Sequence, residues 1–186
     1  MTVSHEREHE VAGLPATLLQ AADGAISASA AAVAILSLVV LFLSLGAEVV
    51  VRYLTTQGMG WPSELPNLLF PWLVMGGVVL AAQKGAHISV TLLLDMLPRN
   101  SARTMLLAMQ VVVAATFFYL AYIGLAVIEI TGSEIYPVTG VSARWAYLSL
   151  IAGFVGVGLT AVTTFLRLLI AEDPRSVRAH VSEEEI

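Results

Sequence analysis

Lys84, His87, Thr91 and Asp95 follow one another at steps of three, four and four residues, so a helix through them carries all four along one face. The other faces hold Ile88, Val90, Leu92, Leu93, Leu94, Met96 and Leu97. One thin polar stripe on a wide apolar body suits a membrane surface or a crowded protein groove. His87 is the one histidine outside the chain ends, and haem ligation by it would need a second imidazole across a bundle; His5, His9 and His180 all lie in polar end segments. Glu48 and Arg52 have the spacing of a helical ion pair, with Tyr53 beside them as an interfacial anchor. Glu129, Arg144 and Trp145 complete the set of polar or aromatic groups near expected helix ends. These positions make Glu48, Arg52, Lys84, His87, Arg144 and Trp145 the candidates for anchoring or partner contact. No phosphate-binding glycine loop, nucleophile triad or metal-spaced histidine cluster is present, and a chain without cysteine has no thiolate chemistry. The expectation is a protein that is not an enzyme and binds no cofactor or metal.

The elements that position these groups are long and apolar. Of the 186 residues, 58% are hydrophobic and 12% charged, and the mean hydropathy is +0.84, which leaves too little polar surface to cover a soluble fold. The chain reads as an all-α integral membrane protein with four transmembrane helices and an amphipathic interfacial helix between the second and third. The first span is expected over about Ala25 to Val51. The second starts near Leu68, or at Pro71 if that proline takes the first helical position, and ends near Ala82 or near Val90. The third runs from about Arg103 to Ile130, with Ser101 as its candidate cap, and the fourth from Trp145 to about Ile170. Residues 25–170 then form one transmembrane domain between a tail of residues 1–24 and a tail of residues 171–186. The net charge of −5 comes largely from the acidic tails, and nucleic acid is not an expected partner.

A transporter that moves its own substrate places ionisable groups or broken helices at the bilayer midplane. All four spans are clean there. What they do carry is small residues at intervals of four: Gly77, Ala81 and Gly85 in the second span, and Ala152, Gly156, Thr160 and Thr164 in the fourth. Such seams let another helix approach closely. The arginines and lysines set the orientation. Arg7, Lys84, Arg99, Arg103, Arg167, Arg175 and Arg178 lie on one side, against Arg52 and Arg144 on the other. This asymmetry puts both termini in the cytoplasm.

The order of elements resembles the small membrane subunit, DctQ type, of tripartite ATP-independent periplasmic (TRAP) transporters, over about Leu41 to Phe165. PWLVMGGVVLAAQKGAHISV, Pro71 to Val90, is similar to that family's aromatic and apolar run, small-residue step, basic residue and His-Ile-x-Val. Glu48, Arg52 and Tyr53 resemble its close of helix one, and Pro137 with Arg144, Trp145 and Tyr147 its entry to helix four. Lys84 stands where arginine is usual, giving a point charge in place of a planar fork, and Thr91 stands where aspartate is common. The resemblance implies a multi-pass protein of a bacterial or archaeal inner membrane. It also implies a division of labour: a periplasmic binding protein delivers a carboxylate-type solute, a large membrane subunit holds substrate and sodium, and the small subunit braces it within the lipid. Two other readings stand beside it: a membrane-anchor subunit of a redox complex, and a self-sufficient small transporter.

Overall fold

The computed structural model describes residues 3–55, 58–84 and 98–170, and the described residues are helical apart from short connections. Helix α1 is Val3–Thr55, α2 is Leu65–Lys84, α3 is Arg99–Thr131 and α4 is Arg144–Ile170, with a single 3₁₀ turn, Trp61–Ser63, ahead of α2. All four contain stretches long and apolar enough to cross a bilayer. His87, Gly85 and the expected amphipathic helix through Thr91 and Asp95 fall in residues 85–97, outside the described residues, as does the tail of residues 171–186.

Three helix boundaries differ from the sequence expectation. First, α1 starts at Val3, well before Ala25, and its 53 residues make a rod of about 80 Å. Polarity marks where a helix leaves hydrocarbon and does not by itself end it. Second, α2 starts at Leu65, ahead of both Leu68 and Pro71, because the 3₁₀ turn at Trp61–Ser63 feeds directly into it. Pro71 therefore sits inside the helix, where it removes the N–H that would reach the Asn67 carbonyl. Third, the residue preceding α3 is Pro98, in an extended conformation with φ −61° and ψ 149° and no side-chain cap, and Ser101 lies within the first turn.

The helices pack in the spatial order α1, α2, α4, α3, with a lighter contact between α1 and α4. The last helix in sequence is thus central. In its most apolar window 39% of residues are buried, against 6% in α3, which leaves α3 facing outward along most of its length. α1 buries one narrow stripe, Ala34, Ser37, Leu41 and Ser44, at steps of three, four and three. Its remaining faces expose Leu36, Phe42, Leu43 and Leu54, among others.

Close approach depends on glycine at the two central contacts. A Cβ on Gly76 of α2 would lie 2.9 Å from the Ala30 carbonyl oxygen of α1 and 3.0 Å from the Ala34 Cβ. A Cβ on Gly153 of α4 would lie 2.7 Å from the Met75 Cβ of α2. Between α4 and α3 the contact is aromatic. Phe118 lies over Gly158, and Phe117 meets Phe154 with ring centroids 5.9 Å apart and planes tilted by 57°.

Candidate functional site

The polar chemistry of the described residues is concentrated at the two ends of the helix row. At the end bearing the 3₁₀ turn, Glu48 of α1 accepts a hydrogen bond from the Met59 N–H at 3.1 Å. The helical ion pair expected with Arg52 is absent among the described residues. After α1 ends, the chain turns back and brings an unpaired backbone donor against the carboxylate, and Arg52 stays exposed. Gly58 permits the return, since a Cβ there would lie 2.5 Å from Glu48 Oε1.

Glu64, which the sequence reading did not single out, does more. Lying between the 3₁₀ turn and α2, its buried carboxylate accepts from Val138 N–H at 2.9 Å, from Thr139 N–H at 2.8 Å and from the Thr139 hydroxyl at 2.8 Å. One side chain thereby satisfies the tip of the α3–α4 connection, which is 74 residues away in sequence. The same connection is closed on itself by the pairing of Ile135 with Ser142 and by the Ser142 hydroxyl, which donates to the Gly132 carbonyl at 2.5 Å. Gly140 takes φ +69° at its tip and Gly60 takes φ +75° where the first loop packs on Val138, conformations that favour glycine. The two loops on this side form one unit. The signal available in the sequence was a lone carboxylate, Glu64, between two prolines at the threshold of an apolar helix.

Trp145 is exposed and contributes its backbone carbonyl, which accepts from the indole N–H of Trp72 at 3.0 Å. Arg144 is exposed beside it, with its N–H donating to the Ser142 hydroxyl at 3.2 Å. Lys84 is exposed in the last turn of α2, so it and Arg52 lie at opposite ends of the row.

At the Lys84 end a second cluster ties all four helices. Arg167 of α4 pairs with Asp23 of α1 at 2.5 Å and reaches the Leu19 carbonyl at 3.4 Å. The Gln83 amide of α2 donates to the Asp23 carbonyl at 3.1 Å. Arg103 of α3 donates to the Leu169 carbonyl of α4 at 2.7 Å, tying the start of α3 to the last described turn of α4. Neither Asp23 nor Arg167 was a sequence candidate, because the pair is 144 residues apart and Asp23 looked like part of a tail.

Between these ends, four buried hydroxyls turn back on their own helices. Ser44 donates to the Leu41 carbonyl, Ser149 to Ala146, Thr160 to Gly156 and Thr163 to Thr160, at 2.6 to 3.1 Å. These groups are satisfied locally and ask nothing of a ligand. The two small-residue seams face different ways. Gly77 has open space where a Cβ would stand and Ala81 is exposed, so that face of α2 looks out of the row. Gly156 looks inward, since a Cβ there would lie 2.8 Å from Val79 Cγ2; Ala152, one turn earlier, is exposed.

Comparison with known proteins matches residues 41–171 to the model of the family described as tripartite ATP-independent periplasmic transporters, DctQ component. An uncharacterised protein of Sinorhizobium fredii is 35% identical over 88% of this chain, which spans 30% of that protein's length. A putative TRAP transporter small permease protein of Haemophilus influenzae is 26% identical over 62% of this chain and 70% of its own. The ectoine TRAP transporter small permease protein TeaB of Halomonas elongata is 24% identical over 93% of this chain and 91% of its own.

Proposed function

The chain belongs to the DctQ component family of tripartite ATP-independent periplasmic transporters, and we propose that it acts there as a static brace for a larger membrane subunit, with no substrate path of its own. The observation that carries this reading is the use of the polar side chains. Glu64, Glu48, Asp23, Arg167, Gln83 and Arg103 bind the ends of the chain's own helices, and the apolar middle presents broad outer faces on α1 and α3. A body fixed at both ends and apolar between suits a part against which another part moves. The family assignment replaces the reading as a redox-complex anchor.

In the same proposal a periplasmic binding protein delivers a carboxylate-type solute, and sodium binds the large subunit. The outward face of Gly77 and Ala81 is a place where a partner helix can come close. Proteoliposomes containing the chain and its large partner are expected to take up solute on addition of binding protein and a sodium gradient, while the chain alone takes up none. Gradient-driven uptake by the chain alone would overturn the brace reading.

The arginine and lysine asymmetry supports an inner-membrane orientation with both termini in the cytoplasm, so the Glu64 end faces outward. Reporter fusions after Ile170 are expected to read cytoplasmic, and fusions at Gly60 or Thr139 periplasmic. A periplasmic reading after Ile170 would contradict it.

A further inference from the structure

Helix α3 has its one substantial contact with α4, where Phe117 meets Phe154 and Gly124 lies under Ile151. The opposite face carries Thr116, Tyr119 and Tyr122 at steps of three, all of them exposed, the tyrosines by 63% and 72%. Thr116 is midway between Arg103 and Glu129, the charged residues that bracket the apolar run of α3. Tyr119 and Tyr122 therefore stand within about 9 Å of the bilayer centre along the helix axis. A threonine in a helix can satisfy itself, as Thr160 does on the Gly156 carbonyl. A phenol cannot, because its oxygen stands beyond the reach of its own helix backbone. Among the described residues neither tyrosine hydroxyl has a hydrogen-bond partner. Water is out of reach too. Helical side chains lean toward the N-terminus of their helix, which here carries both hydroxyls away from the nearer, Glu129 end and toward the bilayer centre. Helix α1 shows what this chain places against lipid: from Val33 to Leu45 every outward residue is aliphatic or phenylalanine, and Ser37 and Ser44 are turned inward.

We infer that the outward face of α3 centred on Tyr119 docks on a transmembrane segment of the large membrane subunit that offers oxygen acceptors to the Tyr119 and Tyr122 hydroxyls. The chemistry of the face selects the occupant. Lipid tails hold no acceptor and would leave both hydroxyls unpaired in hydrocarbon. A protein segment with a hydroxyl, a carboxamide or an opened backbone carbonyl pairs them. Ala115 and Ala126, exposed on the same face, let such a segment come close to the rings. The inference rests on the brace reading for the identity of the partner, and adds to it a contact surface separate from the Gly77 face of α2.

Two measurements on the full chain co-expressed with its large subunit test this. A photoactivatable benzophenone amino acid in place of Ile123, beside the two hydroxyls, is expected to crosslink to the large subunit in membranes, and the same group in place of Phe42 on α1 is expected not to. The double variant Tyr119→Phe with Tyr122→Phe removes two oxygen atoms and no contact within the chain. Its Kd for the large subunit, titrated in bicelles, is expected to rise roughly five- to tenfold while the thermal transition of the chain alone stays where it was. Crosslinking from position 123 only into lipid, or only to a second copy of this chain, would overturn the inference, and so would an unchanged Kd in the double variant. The two readings fail differently. If the unsubstituted chain forms no complex with the large subunit, the brace reading falls and takes this one with it; a stable complex that gives no crosslink from position 123 removes the α3 face alone.

Discussion

Replacing Gly76 by leucine is expected to break the fold, and replacing its neighbour Gly77 by leucine is expected to leave the fold intact and break assembly. At Gly76 the first atom of any side chain would stand 2.9 Å from the Ala30 carbonyl oxygen and 3.0 Å from the Ala34 Cβ. The obstacle at Ala30 is backbone, so no rotamer change relieves it, and α1 must move away from α2. Overpacking of this kind costs about 1–3 kcal/mol, and a leucine with no room beyond its Cβ belongs at the upper end. In a bilayer the loss is not made good elsewhere, since helix association there rests on close van der Waals contact and not on the expulsion of water. At Gly77 a Cβ meets open space, so the substitution costs the isolated chain little. It does put bulk on the one small-residue face of α2 that looks outward. The measurement is a pair: thermal or denaturant unfolding of the purified chain, and co-purification with the large membrane subunit. Gly76→Leu should lower stability, and Gly77→Leu should keep stability while losing the partner. Normal co-purification and uptake with Gly77→Leu would remove that face from the interface.

The second large effect is expected at Arg167. Its guanidinium meets Asp23, a residue 22% exposed, and Asp23 Oδ1 is buried with no hydrogen-bond partner among the described residues. This carboxylate is already short of one partner. Arg167→Ala would take away the other and leave a largely desolvated charge, which destabilises far more than an exposed pair would. With Arg167 itself 33% exposed, water returns in part, and the expected cost is roughly 1–3 kcal/mol. The same change also removes the donor to the Leu19 carbonyl. Asp23→Asn should cost less, because the amide keeps an acceptor toward Arg167 and the Gln83 bond goes to the backbone of residue 23, which the substitution keeps. The double variant Asp23→Asn with Arg167→Ala should cost less than the two single effects added. Strict additivity would show that the two groups do not interact in the folded protein.

The sequence by itself determined the class of protein and the number and approximate place of its spans. Those follow from hydropathy over windows of about twenty residues, a local quantity that the bilayer reads directly. It also determined the family, carried by the run from Pro71 to Val90 and by the matched residues 41–171. Exact boundaries were less legible. A helix that leaves the membrane can continue, as α1 does to Val3, and a 3₁₀ turn can move a start upstream of an interior proline, as at Leu65.

Only the tertiary structure decided what each polar and small residue does. Glu48 and Arg52 have ideal spacing for a helical pair, yet the donor that reaches Glu48 comes from Met59 after the chain has turned. The Glu64 clamp on Val138 and Thr139 and the Asp23 to Arg167 pair join residues far apart in sequence, so no local pattern could place them. Gly76 and Gly77 are indistinguishable in a one-dimensional reading, and so are the seams of Gly77 with Ala81 and of Ala152 with Gly156. A four-residue interval puts small residues on one face of a helix, but which face is covered depends on the neighbour. Here α2 has α1 on one side and α4 on the other, so Gly76 meets α1, Gly156 meets Val79, and Gly77 is left facing out.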